Sequence, residues 1–203
     1  QGYSSAASDV YKRQDVKAAN DEGAVAAATV NDVLYAYPMT ADNGYFMYYN
    51  KAYFSDSDLA TLDGMMSIAA ANGKKVTMDW SSGWYLYAFF GNTGLEFGIN
   101  DDGVTNYCNW NAKDTAIKGV DVAQALLNIA SNPGFMNAVD TDFMAGVQDG
   151  SVIAGVSGAW NAATVKQVWG DNYGAVKLPT YTCAGQQIQM SSFKGYKLSL
   201  IHI

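Results

Sequence analysis

The sequence predicts an α/β fold in which strands alternate with helices and pair mainly in parallel. Three observations predict it. Short β-rich apolar runs stand at Val33 to Pro38, Tyr45 to Tyr49, Lys75 to Asp79, Ser151 to Val156 and Tyr173 to Leu178. Longer segments with apolar residues at helical spacing lie between them. Glycine or proline closes most segments, at Gly73, at Asn132-Pro133-Gly134, at Gly150 and at Pro179.

Along the chain, residues 1–14 and 198–203 show no period and resemble translated sequencing-adapter tails, so both are set apart as non-native. Asp15 to Ala28 is alanine-rich and reads as a helix. Val33 to Pro38 reads as a strand capped by its proline. Met39 to Gly44, M-T-A-D-N-G, reads as a polar crossing with turn residues. Tyr45 to Tyr49 is aromatic and β-type. A helix follows over Asp58 to Asn72, with Ser57 as cap, Gly73 as stop, and Leu59, Leu62, Met65, Met66 and Ala69 as apolar stripe. Lys75 to Asp79 is a short strand. Trp84 to Phe90 begins a buried helix after the turn Ser81-Ser82-Gly83, and Gly91 to Gly103 reads as loop. Thr115 to Ser131 is helical, with Ile117, Val120, Ala123, Leu127 and Ala130 on one face. The most informative stretch, Asp142 to Trp160, reads as a helix, a glycine stop at Gly150, a buried strand, and a tryptophan where the backbone leaves the sheet. Ligands of open α/β sheets bind beyond the carboxyl ends of strands, and an indole there is a platform for a flat, partly apolar ligand such as a sugar ring. A helix from Asn161 to Trp169 completes the pattern.

Bulk composition excludes several functions. The 203 residues are 49% hydrophobic, enough for a core. The formal charge is −7 and the 12 Lys and Arg are scattered, so nucleic acid is not a partner. No apolar run reaches the roughly 20 residues that span a membrane. The single histidine, His202, argues against a metal site and against Ser-His-Asp or Cys-His chemistry, and no cofactor is implied. Cys108 and Cys183 either pair in an oxidising compartment or are two independent buried thiols.

Three anchors, taken together, resemble the extracellular solute-binding proteins of carbohydrate ABC transporters, of the maltose/maltodextrin-binding type. They are L-Y-A-Y-P-M-T-A-D-N-G-Y-F-M-Y-Y-N-K at Leu34 to Lys51, G-S-V-I-A-G-V-S-G-A-W at Gly150 to Trp160, and Y-G-A-V-K-L-P-T at Tyr173 to Thr180. The resemblance implies a periplasmic-binding-protein-like fold of two lobes with ligand between them. It implies that this chain is an internal fragment: the end of a first N-terminal-lobe segment at 15–41, most of the C-terminal lobe at 42–183, and a return crossing at 184–197. It further implies a monomer, a membrane permease as partner, and an extracellular or periplasmic location with a lipoprotein anchor outside this sequence.

On that resemblance the candidate ligand residues are Asp42, Asn43, Ser82, Trp84, Tyr85 and Trp160. Asp42 and Asn43 stand where the first hinge of the family meets the cleft, and a carboxylate accepts two sugar hydroxyls at once; the alternative is a turn whose side chains cap their own backbone. Trp160 matches the family's stacking tryptophan; the alternative is a core residue. Trp84 and Tyr85 resemble the aromatics that the family places after the strand, with Ser82 where the family often has a carboxylate. Trp80 is balanced between site and core. Trp110, Trp169, Met65 and Met66 read as packing. Asp140 and Asp142 imitate a glycosidase pair, but two residues apart they read better as helix caps. The expectation is a sugar-binding protein without catalysis, capturing a mono- or oligosaccharide of maltodextrin type. A sugar-active enzyme, a free-standing carbohydrate-binding module, and peptide or polyamine uptake by the same fold are the alternatives.

Overall fold

The computed structural model describes residues 13–192 and 194–200, apart from the side chains of Ala41, Asp42, Lys194, Lys197 and Leu200. The chain forms two compact units, residues 1–44 with 194–203, and residues 45–193.

In the small unit the expected single helix is two. Helix α1 covers 13–19 and α2 covers Glu22–Ala27. Asn20 separates them because its amide donates back to the Val16 carbonyl (2.7 Å), while the Asp21 carboxylate caps the Ala24 N–H (3.2 Å). Strands β1 (Thr29–Val30) and β2 (Val33–Leu34) then form a hairpin. Its turn residues, Asn31 and Asp32, both have positive φ (47° and 63°), the left-handed pair that a two-residue hairpin turn requires. Ala28, Leu34 and Ala36 are buried together.

Strand β3 (Ala36–Asn50) overturns two expectations. Pro38 does not end a strand, and 39–44 is extended backbone, not a turn-rich crossing. The first part of β3 pairs antiparallel with β12 (Lys194–Leu200), with Pro38 opposite Leu198. A proline is tolerated where a strand has a neighbour on one side only.

The large unit is built on a sheet in the order β9-β3-β8-β4-β7. Its members are β4 (Lys75–Met78), β7 (Phe135–Asn137), β8 (Val152–Gly158) and β9 (Tyr173–Val176), with the second part of β3. Pairings β4–β7 and β4–β8 are parallel, whereas β3 runs antiparallel to β8 and β9. The α/β class stands, but the pairing is mixed rather than mainly parallel, because β3 enters from the opposite direction. All seven residues of β8 are buried.

Helix α3 (Leu62–Ala71) is shorter than expected. Residues 56–59 form a separate 3₁₀ turn, in which the Asp58 carboxylate takes the N–H and hydroxyl of Ser55. Thr61, not Ser57, caps α3 through the Gly64 N–H (3.1 Å). The stripe Leu59, Leu62, Met65, Met66 and Ala69 is buried, and Gly73 stops the helix at φ +64°. Helix α4 (Gly83–Leu86) continues as a 3₁₀ turn through Phe89.

Within the expected loop lies β5 (Phe97–Ile99), paired with β6 (Asn106–Cys108) around Gly103 at φ +67°. Helix α5 (Gly119–Ala130) turns a different face inward than expected: Val122, Ala125 and Ile129 are buried, while Val120 and Leu127 are more than 60% exposed. The helix is apolar most of the way round, so spacing alone does not select a face. Ile117, just ahead of it, is buried as expected.

Helix α6 (Asp140–Asp149) ends at Gly150, φ +77°, as expected. Its N-cap is Val139, so neither Asp140 nor Asp142 caps it. Helix α7 (Ala162–Trp169) precedes β9, and β10 (Thr180–Cys183) pairs with β11 (Gln186–Gln189).

Burial pushes the Tyr48, Tyr85 and Tyr181 phenols up from 10.0, Tyr85 to about 12. Folded tyrosines that keep their protons longer than unfolded ones make unfolding take up base. Stability is therefore full below pH 10 and falls as pH rises through 10 toward 12. Chemical denaturation at pH 8, 10 and 11 is expected to show a midpoint that drops only above 10; a flat profile would contradict the burial of these phenols.

Candidate functional site

Strands β4, β7 and β8 are parallel, so their carboxyl ends lie at one edge of the sheet of the large unit. The segments that follow them carry Asp79 to Gly83, Ala138 to Asp140, and Ala159 to Asn161. Antiparallel β3 brings Tyr45 to the same edge, opposite Gly158. Tyr48 pins this corner by donating its hydroxyl to the Gly158 carbonyl at 2.7 Å.

The centre of the corner is Asp140. One carboxylate oxygen accepts the Ser157 hydroxyl at 2.7 Å, and the other accepts the Trp160 indole N–H, also at 2.7 Å. The Asn161 amide donates to the Ser157 oxygen at 2.9 Å. Ser157 is 1% exposed, so its hydroxyl needs this partner. Trp160 is held at its nitrogen yet 51% exposed. Its six-membered ring lies so close over Gly158 that a Cβ there would overlap it. A large ring fixed at one end and bare on much of its surface is not a core residue.

Beside it Tyr85 is buried, with its ring centroid 5.0 Å from that of Tyr45. Burial first, then the Asp140 charge, raises its phenol, while hydrogen bonding with Ser157 and with the Gly158 backbone opposes the rise. Trp84 is half-buried and meets Tyr45 edge-on at 5.9 Å. Ser82 is part-buried and is the N-cap residue of α4, without a side-chain capping bond. Trp160, Trp84 and Tyr85 thus converge around Tyr45 and Gly158. Asn43 lies in the small unit, paired with Gly195 in the β3–β12 ladder, and the Asp42 side chain is outside the described residues. Both stand in extended strand and not in a turn.

Trp80 settles into the core. Its ring packs on Phe89 (5.6 Å) and Phe135 (4.6 Å), and its backbone N–H is taken by the Asn137 side chain. Trp169, Met65 and Met66 are buried as expected. Trp110 stacks on Phe90 at 3.9 Å and also walls an open groove with Trp84. Asp140, with both oxygens engaged, and exposed Asp142 form no acid/base pair across a gap. Both cysteines are free, Cys108 exposed and Cys183 buried. Among the described residues no cluster of three or more His, Cys, Asp or Glu is placed to hold a metal, and no helix is long and apolar enough to cross a membrane.

Reasoning from sequence missed Asp140 as the anchor of Trp160. The readable signal was topological: β7 and β8 both flank β4, so the residues just beyond their ends become neighbours although 20 apart in sequence.

The geometry predicts the effect of filling Gly158. Its φ of −74° suits alanine, so strain is steric only, and the obstacle is the Trp160 ring. Gly158→Ala is expected to swing the indole off Asp140, red-shifting its fluorescence and weakening ligand binding with little loss of stability. Unchanged emission would show that the ring does not lie on Gly158.

Comparison with known proteins places this geometry. The sequence model described as bacterial extracellular solute-binding protein matches residues 2–201. A solved structure with acarbose is 32% identical, with a TM-score of 0.76 over 93% of this chain and 48% of that one. A maltodextrin-binding protein from L. casei BL23 is 24% identical, TM-score 0.73, with the same coverages of 93% and 48%. The galacto-N-biose/lacto-N-biose I-binding protein of an ABC transporter from Bifidobacterium longum, in complex with lacto-N-biose, is 22% identical, TM-score 0.62, over 92% and 48%. The chain therefore spans about half the length of these structures. No curated protein sequence matches it.

Proposed function

Because the chain belongs to the bacterial extracellular solute-binding protein family, we propose that it is a carbohydrate-capturing component of an ABC transporter. It binds a mono- or oligosaccharide of maltodextrin type and passes it, without breaking a bond, to a membrane permease. It works as a monomer outside the cytoplasmic membrane, held there by a lipoprotein anchor. The observation that carries the reading is Trp160, half-exposed and clamped by Asp140, with Trp84 and Tyr85 beside it at the carboxyl ends of parallel strands. A sugar lays its apolar face on the indole. Asp42 and Asn43 supply hydroxyl selection, the carboxylate by charge-assisted bonds. Sugar-bound relatives of the same fold support the choice of ligand.

Tryptophan fluorescence titrated with a panel of saccharides, peptides and polyamines tests this. Saturable change with at least one saccharide is expected. Response to peptides or polyamines and to no saccharide would sink the reading.

A further inference from the structure

Two phenols of the large unit carry hydroxyls into its interior. Tyr48 is fully buried and Tyr85 is 6% exposed. Phenylalanine would fill nearly the same volume without the cost of burying an oxygen. Both hydroxyls end at the same residue. Tyr48 donates to the Gly158 carbonyl (2.7 Å), and Tyr85 hydrogen-bonds with the Gly158 backbone and with Ser157. They arrive from opposite faces of the sheet. Tyr48 is buried with Phe143, Val165 and Trp169, whereas Tyr85 belongs to the cluster of Tyr45 and Met47, and successive residues of a strand point to opposite faces. The need is local. Strand β8 outruns β4, whose last partner on it is Gly155, so the buried end of β8 keeps a strand on the β3 side only. Buried backbone groups left there take their partners from side chains.

Resting on the carbohydrate reading above, we propose that Tyr48 and Tyr85 are positioning residues: by fixing the Gly158 backbone they set the place of the Trp160 indole, and so the affinity for a saccharide, without touching the saccharide. Three observations carry it. First, the six-membered ring of Trp160 lies on Gly158, where a Cβ would stand 2.2 Å from both Cη2 and Cζ2, so a shift of that residue shifts the ring. Second, Tyr85 also reaches the other end of the indole by relay. It bonds with Ser157, Ser157 donates to Asp140 (2.7 Å), and Asp140 accepts the indole N–H (2.7 Å). Third, burial denies both phenols a ligand. A ring 6% exposed or less has almost no face to offer, whereas Trp160 is 51% exposed. Tyr85, a contact candidate on the sequence, therefore acts through Trp160. The gain is in freedom and area: an indole already held loses little on binding, and a tilted one covers less of the sugar face.

Tyr48→Phe and Tyr85→Phe test it, since each keeps the ring and removes only the oxygen. Tyr181→Phe is the control: Tyr181 is also fully buried, and its hydroxyl bonds the Phe89 carbonyl, away from this corner. Each change is made with Trp160 present and with Trp160→Ala. Affinity for a saccharide that binds in the panel above is read by calorimetry, and the emission of Trp160 by difference between the two backgrounds. Tyr48→Phe and Tyr85→Phe are each expected to weaken binding about fivefold with Trp160 present and not at all without it. Without any ligand, both are expected to shift the Trp160 emission to the red and to raise its quenching by acrylamide. Tyr181→Phe lowers the urea midpoint to a similar degree and moves neither readout. Wild-type affinity and unmoved Trp160 emission in both variants overturn the positioning role and leave the carbohydrate reading standing. An equal loss of affinity in the Trp160→Ala background also overturns it, because the phenols would then touch the sugar. Absence of binding by every saccharide overturns the carbohydrate reading, while the emission comparison, which needs no ligand, still decides whether the phenols hold the ring.

Discussion

An alanine at Gly134 is expected to destabilise the large unit by about 3 kcal/mol or more, the upper end for overpacking a dense interior. A Cβ there would overlap the Met66 carbonyl oxygen and stand 2.8 Å from its carbon and 3.0 Å from the Ala70 nitrogen. These are backbone atoms of α3, a helix locked in place by buried Met65, Met66 and Ala69. Neither side can yield: Gly134 joins α5 to β7, and β7 is hydrogen-bonded to β4. With a urea slope of about 1–3 kcal/mol/M, the midpoint falls by roughly 1–3 M. Gly83→Ala is the control, since nothing lies within 4 Å of its added methyl, and it is expected to be near neutral. Equal midpoints for the two variants would mean that α3 can slide, contrary to its burial.

Removing the indole of Trp160 is expected to weaken saccharide binding by about 2 kcal/mol, close to thirtyfold. A tryptophan carries about 150–250 Å² of surface, and covering half of it with a sugar face is worth about 2–3 kcal/mol at 25 cal/mol/Å². Asp140→Ala acts on the same indole from behind. It strands the buried Ser157 hydroxyl and frees the ring, so affinity falls partway and stability drops by about 1–3 kcal/mol. Asp140→Asn does not restore it, because the hydroxyl and the indole N–H donate to different carboxylate oxygens, and one of these becomes an NH2 group that donates instead of accepting. The double variant Asp140→Ala with Trp160→Ala is expected to bind no worse than Trp160→Ala alone. Strict additivity of the two losses would show that Asp140 acts on ligand directly and not through the ring.

Much of this was legible from local pattern. The buried stripe of α3, the stops at Gly73 and Gly150, and the strand-to-tryptophan segment ending at Trp160 follow from spacing and from backbone conformations that glycine tolerates. What was not legible depends on partners far along the chain. Pro38 looked like a strand end because its tolerance of the ladder rests on β12, more than a hundred residues later. The inward face of α5 depends on what it packs against, since an all-round apolar helix offers several stripes. The hairpin β5–β6 carried its signal in Asp101-Asp102-Gly103, a turn sequence between weakly alternating runs. The role of Asp140 was hidden because both of its donors belong to the next strand and the turn beyond it.

The course of β3 also sets the order in which this protein is able to assemble. Its second half is central to the sheet of the large unit, yet Tyr48 meets Gly158 across 110 residues. At roughly 5–20 residues per second, a ribosome needs about 6–22 s to supply that partner. Until then Tyr45 to Tyr49, an aromatic strand with open edges on both sides, has neither β8 nor β9 to pair with. Such a segment is a site for chaperones or for aggregation in the interval. Closing so long a loop also makes the β3–β8 contact a late and slow event in refolding.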